Sequence, residues 1–158
     1  MASRFYEVAA YSLEDTTLAL VGPNNLNFYI TGEAEEGFSI EFEGSKNTMT
    51  VGGGGDVMHS LRAAQPGRLI IRLLKTSSCN KVLSDAWTYQ TSSAAYHGQM
   101  TGTAIDAARN DLWLMTGTAF NNHANGAYAT VGGMMEWALD VARITPKLGA
   151  GALQLLNT

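Results

Sequence analysis

The chain carries a single cysteine, Cys79, among 158 residues. That excludes an intramolecular disulfide and suits a reducing compartment, or one where crosslinks are not needed. Long apolar runs are missing too. The most apolar stretch, "RLIIRLLK", is interrupted by Arg72 and falls far short of a bilayer span, so no stable membrane association is expected. The start, "MASRFYEVAAYSLEDTT", holds Arg4, Glu7, Glu14 and Asp15 and shows no continuous apolar core of the export-signal kind. Charge is scarce: 10 basic and 14 acidic residues stand where an average globular chain of this length would have roughly 40 charged side chains. With apolar content at an ordinary 46%, the shortfall is filled by Gly, Ser, Thr and Asn, types that suit surfaces packed against other protein. The net charge of -4 argues against tight, sequence-specific nucleic-acid binding, whose affinity comes largely from basic groups neutralising phosphates. DNA passing nearby without sticking is compatible with it.

Patterns that carry chemistry are equally scarce. The run Gly52, Gly53, Gly54, Gly55 invites comparison with a phosphate loop, but it ends in Asp56 where a Walker loop needs Lys followed by Ser or Thr, and a carboxylate there repels phosphate. The dinucleotide fingerprint fails as well, since no strand-to-helix parallel unit surrounds the run. His59, His97 and His123 lie in three separate segments without the spacing that puts two metal ligands on one face. Cys79 has only Lys75 and Lys81 as neighbouring cations and no nearby histidine, which favours burial over nucleophilic duty. Glu35 with Glu36, or Asp106 with Asp111, could do acid and base work, but solvated turns explain them as well. Trp87, Trp113 and Trp137 sit at core-facing positions of their segments. No catalytic set, metal site or cofactor is expected, and the chain reads as a non-enzyme.

What the chain does have is alternation. In "FSIEFEG", Phe38, Ile40 and Phe42 point one way and Ser39, Glu41 and Glu43 the other. Asn47 to Val51 continue in extended form, with "EGSK" as a turn between the two segments, so a long extended hairpin arm is expected over about 38–58. "TTLALVG" and "LNFYITG" read as a strand pair joined through "GPNN". "GRLIIRLLK" is apolar on both faces apart from Arg72, as in a central strand covered on two sides. One amphipathic helix is expected over about 79–90, with Val82, Leu83, Ala86, Trp87 and Gln90 on its apolar face and Ser77 or Ser78 as its cap. "GQMTGTAID", "DLWLMTGTAF" and "MMEWALDVARI" complete the strands. The fold class is mainly β, a β-barrel or sandwich with one flanking α-helix, in a single domain over 1–158. Its expected core is Phe38, Ile40, Phe42, Leu69, Ile71, Leu73, Leu83, Trp87, Trp137 and Leu139. "KLGAGALQLLNT" reads as a C-terminal tail, about 149–158, that orders only when docked.

Taken together, "AEEGFSIEFEGSKNTMTVGGGGDVMHSL", "GRLIIRLLKTSSCNKVLSDAW" and "GGMMEWALDVARI" resemble the tail tube protein of contractile-tailed bacteriophages. The resemblance runs from about Tyr11 to Gly149, with "YEV" and "GALQLLNT" outside it, and extends to the fold of the type VI secretion tube protein. It implies a structural subunit whose hexameric rings stack into a hollow tube inside a contractile sheath. Such a tube is driven through the cell envelope and conducts viral DNA at genome ejection. The partners implied are further copies of the chain, the tail sheath protein, the tape measure protein, and the baseplate and tail terminator proteins. The implied location is the virion tail, assembled in the host bacterial cytoplasm. On this reading the inter-subunit arm spans about 45–60 and comprises Asn47, Thr48, Met49, Thr50, Val51, Gly52, Gly53, Gly54, Gly55 and Asp56. Glu41, Glu43, Glu136 and Asp140 are expected to face the lumen, where acids repel DNA and let it slide. Two other readings stand beside it: the tube of a phage-derived bacteriocin or secretion particle, and, from a different class, a small-ligand-binding β-barrel.

Overall fold

Two-residue periodicity organises most of the chain, and the computed structural model, which describes residues 11–31 and 37–149, turns it into nine described strands and one helix. A short 3-10 turn, Leu13–Asp15, leads into β1 (Thr16–Gly22), β2 (Leu26–Thr31) and β3 (Phe38–Phe42). Then come β4 (Asn47–Val51), β5 (Val57–Leu61), β6 (Gly67–Leu74) and α1 (Cys79–Thr91). The chain continues through β7 (Met100–Asp106), β8 (Asp111–Asn122) and β9 (Met134–Lys147). Seven strands form one antiparallel sheet in the order β2-β1-β7-β8-β9-β6-β3, and β4 and β5 form a separate hairpin. Glu35, Glu36 and the C-terminal tail from Ala150 onward lie outside the described residues.

The mainly β class and the helix agree with the sequence, while two pairings do not. Strand β3 pairs with β6, and β4 pairs with β5, so "EGSK" is not a hairpin turn between β3 and β4. The hairpin turn is the glycine run itself, closed by Gly52 N–H donating to Asp56 O at 2.7 Å and Gly55 N–H donating to Gly52 O at 3.1 Å. Strand β6 is not central either: it lies next to the edge strand β3. Leu69, Ile71 and Leu73 are buried on one side of it, and Arg68, Ile70, Arg72 and Leu74 are half-buried on the other. Its apolar second face misled the periodicity because Ile70 and Leu74 share that face with the two arginines.

One sheet face makes the core. Leu18, Leu20, Phe28, Leu69, Ile71, Leu73, Met100, Met115, Trp137, Leu139 and Ile144 converge there with Leu83 of α1, all of them fully or nearly fully buried. For seven strands to bury one face in one cluster, the sheet must curl. Its curvature is visible where Phe42 on β3 meets Trp113 on β8 with ring centroids 6.2 Å apart, although β6 and β9 intervene. A flat sheet would separate those strands by roughly 14 Å. Among the described residues the end strands β2 and β3 do not pair, so the described sheet stops short of a closed barrel.

A bulge helps the curling. Between Met100↔Thr118 and Gly102↔Met115 the register slips, because β8 carries an extra residue. Gly117, at φ +63, takes that left-handed position, and an added Cβ would lie 2.8 Å from the Cβ of Ala142. Met115 and Thr118, three apart, can then both point inward.

Phe38, Ile40 and Trp87, expected in the core, pack against it while only half-buried. Phe42 is 48% exposed and does not belong to the core, because the end of edge strand β3 runs out of cover where the chain leaves for the hairpin. In α1 the buried stripe is Asn80, Leu83, Ala86 and Gln90, and Val82 faces out. The Ser77 hydroxyl accepts from Cys79 N–H at 3.3 Å, whereas Ser78 at the cap position makes no side-chain cap bond. Asn80 stitches the helix to the sheet: its amide donates to Leu74 O at 2.8 Å, and its Oδ1 accepts from Trp137 Nε1–H at 3.0 Å.

Replacing Asn80 by Ala leaves the buried Trp137 N–H without its acceptor and is expected to cost about 1–3 kcal/mol, measured as a lower urea midpoint. Gly67→Ala places a methyl group against Glu41 O and the Ile144 Cδ1 methyl. It should detach β3 from β6, read as faster hydrogen exchange at Ile40 and Phe42 while β7 and β8 stay protected.

Candidate assembly interface

The outward face of β3, β6 and β9 collects the four acids singled out in the sequence. Register sets Glu41 opposite Arg68 and Arg68 opposite Asp140, and sets Arg72 opposite Glu136. Arg68 lies 3.3 Å from Glu43 and 3.4 Å from Asp140, and Arg72 lies 3.4 Å from Glu136. Asn121 on β8 donates to Asp140 at 2.8 Å. The face is therefore not a plain acidic wall, since two guanidinium groups run down its middle. Period two could have found them: Arg68 and Arg72 alternate with buried Leu69 and Ile71, which puts both arginines on the acids' face. Their side chains are between about one-third and somewhat over one-half exposed, so water screens each pair and each adds little stability.

The second candidate is the β4–β5 hairpin. Every residue of both strands is exposed, including Met49, Val51, Val57, Met58 and Leu61, each at more than half of its full area. Alternation and register put Met49, Val51, Val57 and Leu61 on one side, with Asn47 hydrogen-bonded to His59 at 3.0 Å. Thr48, Thr50, Met58 and Ser60 occupy the other side. At the tip, Gly55 alone of the four glycines is left-handed, at φ +90, and nothing lies within 4 Å of where a Cβ would stand on Gly53, Gly54 or Gly55. The base is held by Arg62 N–H donating to Lys46 O at 2.8 Å and by Lys46 Nζ donating to the Gln65 side chain at 2.8 Å.

The structure scatters the remaining sequence candidates. Asp106 accepts from the Ala108 and Arg109 N–H groups and pairs with the Arg109 guanidinium in the β7–β8 turn, while Asp111 accepts from Gly149 N–H at 2.8 Å. His59 is on the hairpin, and His97 is exposed beyond α1. His123 bonds Ser84 at 3.0 Å and the Ala124 carbonyl at 2.8 Å, beside Trp87 and Trp137. Cys79 is half-buried against the core. Sequence reasoning missed Arg68, Arg72 and the exposed apolar residues of β5, a short strand that follows the glycine run and Asp56.

The family profile of the bacteriophage PhiTE tail tube protein matches residues 8–149. No curated protein matches the sequence. Among solved structures, the chain is similar to one from an extracellular contractile injection system, the PVC sheath-tube complex in its extended state. That likeness has a TM-score of 0.53 and 12% identity, covering 90% of this chain and 93% of the other. A second is the tube-terminating cap of the anti-feeding prophage, with a TM-score of 0.52, 9% identity, and 94% and 95% coverage. At these identities the likeness is one of fold.

Arg68→Ala removes two screened ion pairs and is expected to lower stability by less than about 1 kcal/mol, a change checked by urea denaturation. A loss several times larger would mean that Arg68 is buried in a contact outside the single chain.

Proposed function

Because the chain belongs to the bacteriophage PhiTE tail tube protein family and is a structural tail tube subunit, we propose that six copies form a ring and that rings stack into the hollow tube of a contractile tail. The observation that carries this reading is the hairpin Asn47–Leu61, which presents an apolar side to solvent while the sheet beside it ends, among the described residues, in the edge strands β2 and β3. Open edges and clustered exposed apolar side chains are hazards in a solitary protein and docking features in an assembling one. Identical copies joined head to tail close into rings or extend as filaments.

In this proposal the arm bridges to an adjacent ring or subunit, and the ladder of Glu41, Glu43, Glu136 and Asp140 faces the bore. Arg68 and Arg72 offset part of the acids' charge, and Arg143 and Lys147 lie farther along the outward side of β9, so the wall repels DNA less than four bare carboxylates would. The sheath lies outside the tube, the tape measure protein fills the bore until it is ejected, and the baseplate and terminator proteins cap the ends. The subunit acts in the virion tail after assembly in the host cytoplasm, and it performs no catalysis. A phage-derived particle would use the same subunit in the same way. A small-ligand barrel is disfavoured, because Trp137, Phe28, Met100 and Met115 fill the inward face of the sheet.

Electron microscopy of the purified protein at rising concentration should show rings or tubes; a solitary particle at every concentration would overturn the proposal. Changing Glu136 and Asp140 to Lys should slow genome ejection with tube assembly intact. Ejection at the normal rate would remove these acids from the bore.

A further inference from the structure

The chain has a second unpartnered surface, and it complements the arm. On the outward side of β2, β1, β7 and β8 the side chains of Tyr29, Val21, Ile105, Leu112 and Leu114 are exposed, Val21 and Tyr29 at 56% and 60%. Register makes them one patch: Ile105 lies opposite Leu112, and Ala19 opposite both Tyr29 and Thr103. The gaps are filled by threonine, alanine and Asn27, and among the described residues of these strands no charged side chain joins them until Arg143 and Lys147 on β9, which lie opposite Thr116 and Leu112. The sheet's outer surface thus divides into an ionic half on β9, β6 and β3 and an uncharged half on β8, β7, β1 and β2.

We propose that the apolar side of the hairpin, Met49, Val51, Val57 and Leu61, docks on the uncharged half of the outer sheet of another copy of this chain. The idea rests on the tube reading and names the surface that receives the arm. A charged surface would have to be desolvated to accept these side chains, which leaves the uncharged half as the low-cost site. The arm does not use its own copy's patch: it leaves the sheet at the opposite edge, beside β3 and β6, and its side chains stay exposed. One chain therefore presents one arm and one receiving patch at opposite ends of the sheet, the arrangement of a head-to-tail contact that propagates from copy to copy.

Size supports the same occupant. Two strands of five residues give a footprint of roughly 17 by 10 Å, about 170 Å², against the roughly 800 Å² per partner of a stable pair. A single arm would not hold two copies together, but many arms engaged at once in a stack would, through multivalency. Subunits should accordingly stay apart until assembly begins.

Cross-linking tests the contact. On a Cys79→Ser background, one population carries Met49→Cys and a second carries Leu114→Cys; they are mixed, assembled, and treated with a short bismaleimide. A third population with Glu136→Cys reports on the ionic half. The expected result is a 49-to-114 dimer in assembled material that is absent from dilute subunits. Assemblies that link 49 to 136 instead, or that give no 49-to-114 dimer, overturn the proposal while leaving the tube reading standing. Failure of the wild-type chain to form rings or tubes overturns the tube reading, and this contact with it. As a second measurement, Ile105→Asp at this exposed position should keep the wild-type circular dichroism spectrum and lose assembly, and assembly at wild-type concentration would overturn the contact.

Discussion

A strand at the end of a sheet offers unpaired N–H and C=O groups along its free side, and among the described residues one curled sheet has two such ends, β2 and β3. Curling brings the inward faces of seven strands onto a common core with α1, as the approach of Phe42 to Trp113 shows. It does not join β2 to β3. A closed barrel satisfies its own backbone and has no need of neighbours; a sheet stopped short of closure keeps that capacity for another chain. The rest of the architecture follows from this incompleteness.

The low charge count fits the same constraint. Surfaces that stay in water are best kept charged, and surfaces that will be covered are cheaper to desolvate when they are not. The chain segregates charged from uncharged outer surface. Its ionic side chains gather on β3, β6 and β9, where register interleaves acids with Arg68 and Arg72, while threonine, alanine and exposed apolar residues occupy the outer side of β8, β7, β1 and β2. The hairpin carries its apolar residues mostly on one side, as a segment does that meets water on one face and protein on the other.

Rigidity beneath these surfaces comes from a few specific contacts. Asn80 ties α1 to β6 and to Trp137, Gly67 lets β3 pass close to β6, and Gly117 absorbs the register slip that bends β8. A surface built to meet copies of itself must repeat with little variation, and these contacts hold the sheet to one curvature. The hairpin tip has no such support around its glycines, and it can adapt to what it meets.

Much of this was legible in the linear chain. Period-two alternation and one apolar run placed the strands other than β5, the 3.6 period placed the helix within a residue or so of Cys79–Thr91, and the glycine run marked the segment that leaves the body. These are local properties: side-chain direction within a strand or helix depends on its own backbone. Partner choice is not local. That β3 pairs with β6 and β4 with β5 depended on which hydrogen-bond ladders the folded sheet could close, and alternation is blind to that. Only the tertiary structure put Arg68 between Glu43 and Asp140, exposed Phe42 at the end of β3, and made Asn80, a polar residue on an apolar helix face, the link between helix and sheet. Each of those outcomes depends on residues far apart in the chain being brought side by side.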